Sequence, residues 1–207
     1  MSKKLHYIYD PYCSWCYAIS PFVQYASSHG VEVVLHGGGM ITGERIAPPS
    51  AELRKVLKDN QPAITSLAGV PFSDRYYQML DQDWVMNSAP PTAAVVAAEL
   101  AAGKGLEMIS AIQVAQFQTG SPIAEQSTLD RLAANLSLNN EAYKSAYTHQ
   151  LDGAITVHFA ESRTLMNKFE AKGFPTLLLE DDGNIRAIVT QGVYGNQPRW
   201  DDALGLS

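Results

Sequence analysis

Asp10–Pro11–Tyr12–Cys13–Ser14–Trp15–Cys16 is the stretch on which the reading of this chain turns. Before it runs Leu5–His6–Tyr7–Ile8–Tyr9, short, aromatic and β-branched, the pattern of a buried strand. After it a helix-period pattern extends towards Ser28, with Ile19, Phe22, Val23 and Ala26 on one side. Pro21 falls inside that pattern and is expected to kink or break it, and Gly30 is expected to close it. Cys13 therefore stands at the mouth of a helix, and Cys16 one turn inside it on the same face. Free N–H groups and the macrodipole at a helix start favour an anion, so Cys13 is expected to ionise readily and act as nucleophile. Cys16 is expected to resolve the mixed disulfide. Neither Ser14 nor Trp15 is charged, so the helix terminus is the main source of tuning.

Outward from this unit, Val31–Leu35 forms a second strand, ended by Gly37–Gly38–Gly39. Strand, helix and strand make a βαβ unit with a parallel sheet. The glycine run lacks the spacing of a phosphate-binding loop and reads as a turn near the active-site helix. From Pro48 to about Gly153, Ala-rich helical stretches follow one another: 51–60, 73–79, 91–102, 106–118, 128–136 and 140–151. A further helix covers 160–171. Pro175–Glu180 and Ile185–Val189 then form a hairpin about Asp182–Gly183, and a short helix over 198–204 ends the chain. The two strand pairs must share one sheet, because neither pair is stable alone. The fold class is α/β, with a core at 1–47 and 154–207 and an all-helical block inserted at 48–153.

Phe174–Pro175–Thr176 is the second signal. A proline opening a buried strand cannot donate to the ladder. Alone, it is more simply a trans-proline starting an edge strand; beside the strand–CxxC–helix unit, a cis Phe174–Pro175 bond is the better account.

The two motifs and the order of elements resemble the DsbA-like thiol–disulfide oxidoreductases of the thioredoxin superfamily, with a D-P-x-C-x-W-C run similar to that of the cytoplasmic FrnE-type branch. The resemblance covers nearly the whole chain. It implies a thioredoxin-like fold with a large helical insertion. It implies catalysis by Cys13 and Cys16, and a cis Pro175 packed against them. It also implies that the backbone of Phe174 pairs with extended substrate. The family often keeps a buried acid beneath the active-site helix. Asp10 is the nearest acid and a candidate for tuning, although shaping the strand-to-helix turn is the role placed first. An ionised Asp10 would raise the thiol pKa and oppose the helix effect. Tyr12, Trp15 and Tyr17 surround the sulfurs with aromatic surface that could form part of a substrate groove, with Trp15 the stronger candidate and Tyr12 the weaker; the alternative is that Tyr17 is core packing and only Trp15 is exposed.

Composition bounds the alternatives. The chain has 207 residues, 46% hydrophobic and 17% charged, enough for a substantial core. Its net charge of -6 argues against a nucleic-acid partner, which needs a basic stripe. No window approaches a membrane span. The Met1–Lys4 start leads into too short an apolar run for a secretory signal, so the expected location is the cytoplasm. With only two cysteines, a structural disulfide framework is excluded. Two inert buried cysteines remain open. So does half of a zinc site, although His6, His29, His36, His149 and His158 show no ligand spacing, and no metal is expected. These histidines read as surface or capping residues.

The activity expected is dithiol–disulfide exchange with protein, peptide or low-molecular-weight disulfides. In a reducing cytosol that means a reductase or isomerase. No prosthetic cofactor is expected, with glutathione as a candidate redox partner. Two other functions stand beside it. Kappa-class glutathione transferases and 2-hydroxychromene-2-carboxylate isomerases share the insertion topology but carry serine where Cys13 stands, and their chemistry has no task for Cys16. A chaperone-like module using the helical block is the third. Oligomeric state is not legible.

Overall fold

The structure is a computed structural model that describes residues 3–138 and 140–206. Met1 and Ser2, part of the leader reading, lie outside them, as do Asn139 and Ser207. Its centre is a four-stranded sheet in the order β2-β1-β3-β4, with β1 at Lys4–Tyr9, β2 at Glu32–Gly37, β3 at Thr176–Asp181 and β4 at Asn184–Ala187. β1 pairs with β2 in parallel, Tyr7 opposite Leu35 and Tyr9 opposite Gly37. It pairs with β3 antiparallel, Ile8 opposite Thr176. The two ends of the chain thus complete one sheet, as the sequence requires.

Alternation along β1 divides the core in two. Leu5, Tyr7 and Tyr9 pack with α1 (Ser14–Ser28) and the helical block. Ile8 packs on the other face, with Leu178 and Met166 of α8 (Ile155–Lys168). Each such buried aliphatic side chain contributes about 1.5–3 kcal/mol. Between β2 and α8 come six helices: α2 (Ala51–Ala68), α3 (Asp74–Leu80), α4 (Ala89–Ala102), α5 (Gly105–Phe117), α6 (Gln126–Asn135) and α7 (Glu141–His149). Helix α9 (Gln197–Leu204) returns to the core, where the Trp200 indole N–H donates to the Phe22 carbonyl at 2.9 Å.

Three helix expectations need correction. α1 runs unbroken through Pro21, and α2 continues past 60 through Pro62. Both prolines lie on exposed helix faces, where water can serve the carbonyl that loses its N–H partner. α8 begins five residues before the expected 160, directly after a π turn at Gln150–Ala154 that Gly153 interrupts with φ 130°.

Candidate active site

The turn Asp10–Cys13, closed by Cys13 N–H to the Asp10 carbonyl at 3.1 Å, delivers β1 into α1. Cys13 is the N-cap of the helix. Its Sγ accepts the N–H of Cys16 at 3.3 Å, one of the donors left free in the first turn. On its other side the Cys13 thiol faces the carbonyl oxygen of Phe174 at 3.4 Å. Exposure separates the two sulfurs: Cys13 retains 9% and Cys16 none. Burial pushes the Cys16 thiol well above the ordinary thiol range, and the neighbouring Cys13 adds to the rise. Behind the pair, Tyr7 Oη donates to the Cys16 carbonyl at 2.8 Å.

Asp10 is fully buried. One carboxylate oxygen accepts Tyr12 N–H at 3.0 Å and the other accepts Met40 N–H at 2.7 Å. The first contact shapes the strand-to-helix turn; the second ties that turn to the segment after β2. Burial raises the Asp10 pKa above the usual carboxylate value, opposed by the bonds to Met40, Tyr12 and Ser88 and by the charge of Arg163. After burial and Cys13, Asp10 acts on the Cys16 thiol in two opposed ways: a bond from its backbone lowers the pKa and, to a lesser extent, its charge raises it.

The Phe174–Pro175 bond is cis. Thr176 Oγ1 donates back to the Gly173 carbonyl at 2.7 Å and fastens the turn that carries it. A groove of about 570 Å³ runs from this turn, lined among others by Trp15, Lys172, Phe174, Pro175, Gln191 and Tyr194. Trp15 is 36% exposed and packs on Tyr194 with ring centroids 5.1 Å apart. Tyr12 does not join this surface. It is 3% exposed, packs against Trp84 at 5.9 Å, and its Oη accepts Asn87 N–H at 3.4 Å. As a substrate contact Tyr12 is therefore corrected: its ring is spent on joining the turn before α1 to the helical block. Tyr17 is core packing, stacked on Phe117 at 5.0 Å.

The histidines divide. His29 caps α1, with Nδ1 2.9 Å from the Tyr25 carbonyl, as expected of a capping residue. His6, His36 and His158 contradict the surface reading. His6 Nδ1 lies 3.0 Å from His36 Nε2, and His6 Nε2 lies 3.1 Å from Glu180. His158 Nε2 accepts Gly37 N–H at 2.9 Å. The pairing of β1 with β2 and β3 and the packing of α8 on β2 assemble them, so no spacing in the sequence could announce it. Among the described residues no three His, Cys, Asp or Glu side chains form a metal-sized group. Tyr194 and Arg163 were equally hidden, since each reaches the site only through the fold.

No protein-family model and no curated protein matches the chain. Solved structures do. The chain is similar to the cytosolic disulfide reductase DsbM from Pseudomonas aeruginosa, at 40% identity and a TM-score of 0.89, covering 98% of this chain and 97% of that one. The structure of DsbM from the same organism with GSH gives 38% identity and 0.87, covering 98% of each chain. A candidate protein disulfide isomerase from Nitrosomonas europaea shares the fold at 20% identity and 0.79, covering 100% of this chain and 97% of that one.

Proposed function

The chain belongs to the DsbA-like thiol–disulfide oxidoreductases of the thioredoxin superfamily, and from that premise we propose that it works in the cytosol as a disulfide reductase. The observation that carries the reading is the unequal pair: Cys13 at a helix mouth beside the Phe174 carbonyl, and Cys16 sealed behind it.

Cys13, as thiolate, attacks one sulfur of a substrate disulfide. The substrate S–S bond breaks, a Cys13–substrate bond forms, and the first substrate thiolate leaves. Cys16 then loses its proton and attacks Cys13 Sγ, expelling the second substrate thiolate. The substrate gains two electrons and the pair closes as a disulfide. Two equivalents of a low-molecular-weight thiol reopen it. Glutathione suits that role: DsbM was solved with GSH, and a glutathione pool poised at roughly −220 to −320 mV keeps an accessible pair reduced unless its own potential is lower still.

Phe174 and Pro175 hold the substrate strand beside Cys13, and Trp15 offers an apolar rim. Asp10 shapes the turn and weighs on Cys16. An isomerase role would use the same first step and release the substrate before Cys16 acts. Insulin reduction with glutathione tests the proposal. Wild type is expected to be active and Cys13→Ser inactive; equal rates in both would overturn it.

A further inference from the structure

The run Gly37–Gly38–Gly39 touches both halves of the active site. Gly38 N–H donates to the Tyr9 carbonyl at 2.7 Å, so the run stays aligned with β1 up to the residue before Asp10. None of the three positions has room for a larger residue. A Cβ on Gly37 would lie 2.2 Å from the Thr92 methyl, and one on Gly38 2.0 Å from the Phe174 ring. On Gly39, at φ +59°, it would lie 2.8 Å from the Phe159 ring. The bare backbone is therefore a seat for the Phe174 ring, whose own carbonyl faces Cys13. The next residue, Met40, holds Asp10.

Two arginines reach this seat: Arg45 donates from Nη2 to the Gly39 carbonyl at 3.4 Å, and Arg163 holds both carbonyls at shorter range. Arg163 of α8 donates from Nε to the Gly38 carbonyl at 2.7 Å and from Nη2 to the Gly39 carbonyl at 2.8 Å. Its guanidinium also covers the Phe174 ring, 5.7 Å from the centroid. No carboxylate forms an ion pair with it among the described residues. A planar fork meeting two successive carbonyls is a geometry that lysine cannot reproduce.

We infer that Arg163 is a positioning residue for disulfide exchange. Through the glycine seat and the Phe174 ring it sets the carbonyl that lies beside Cys13, and through Met40 it sets Asp10. The fork does the positioning. The inference rests on the exchange proposed above.

The test compares wild type, R163Q and R163K in insulin reduction, with KM, kcat and the urea midpoint measured for each. R163Q is expected to raise KM about tenfold or more, the scale of a small misplacement at a reacting centre. R163K keeps the charge and loses the fork, so it should still show the raised KM. Should R163Q fail to fold, R163K alone carries the test through its KM.

Wild-type values within about twofold in both variants would overturn the inference. So would full rescue of KM by lysine, or a KM that changes only as far as the urea midpoint falls. If wild type itself fails to reduce insulin, the proposed function fails instead, and the Cys13→Ser control separates the two.

Discussion

Cys13 Sγ and the carbonyl oxygen of Phe174 lie 3.4 Å apart, although 161 positions separate them in the chain. The contact sets the thiol against Phe174, a residue of the groove wall, while Cys16 has no exposed surface. Reagents from solution therefore meet one sulfur only. In the reduced, folded protein, iodoacetamide is expected to modify Cys13 at least about tenfold faster than Cys16, which is both inaccessible and held protonated by burial. Fragment-ion mass spectrometry of the labelled peptide reads the ratio. Comparable labelling of the two would contradict the asymmetry.

The same asymmetry decides what each substitution does to the intermediate. With Cys13 kept and Cys16 changed to Ser, capture still proceeds but resolution does not. Cys16→Ser is expected to accumulate mixed disulfides with a peptide or with glutathione, stable on a non-reducing gel and lost with dithiothreitol. Cys13→Ser should form almost none, because the remaining thiol is sealed. Adducts on Cys13→Ser at a level near those on Cys16→Ser would assign the nucleophile to the wrong sulfur.

Trp15 and Tyr194 form the apolar rim of the groove. Removing an aromatic pair of this kind costs about 0.5–1.5 kcal/mol of packing, and Trp15 is over one-third exposed. Trp15→Ala is expected to lower stability by no more than about 1 kcal/mol in urea unfolding. Its larger effect should fall on KM for a protein disulfide, with KM for a small disulfide such as cystine nearly unchanged. A proportionate loss on both substrates would remove Trp15 from the binding surface.

What the sequence disclosed was local or periodic. Leu5–Tyr9, the CxxC at the start of α1 and the proline after Phe174 each carry their meaning within a few residues. The cis bond and the single sheet followed from them. Pro21 does not break α1, and α2 runs on past 60 through Pro62. A proline breaks a helix only where nothing else can serve the freed carbonyl, and which face meets water is a property of the fold. Tyr12 was misplaced because its neighbour across the core, Trp84, comes 72 residues later. The glycine run showed a turn but gave no sign that the Phe174 ring and Arg163 would close on it. Each contact there spans more than a hundred residues, and one sequence offers no marker of such pairs.

The histidine cluster makes stability depend on pH with a definite sign. His6 Nε2 lies 3.1 Å from the Glu180 carboxylate, and His6 Nδ1 lies 3.0 Å from His36 Nε2. Burial, with His6 and His158 nearby, lowers the His36 pKa from 6.5 to about 4. The folded state thus disfavours a proton that the unfolded chain takes up near 6.5. The unfolded state binds more protons between those values, so stability rises with pH there. The contribution is whole above about 6.5 and is lost as pH falls towards about 4. The size of the drop sets a ceiling of about 3 kcal/mol, and partial solvent access to the ring reduces it to about 1–2 kcal/mol. Between pH 7.5 and 5, wild type is expected to lose about 1 kcal/mol more in urea unfolding than His36→Gln, which cannot titrate. Asp10 remains in both proteins and cancels in the difference; His6 and His158 also remain, and their coupling to His36 is part of what the difference reads. Parallel pH dependences in the two proteins would show that His36 titrates alike whether the chain is folded or not.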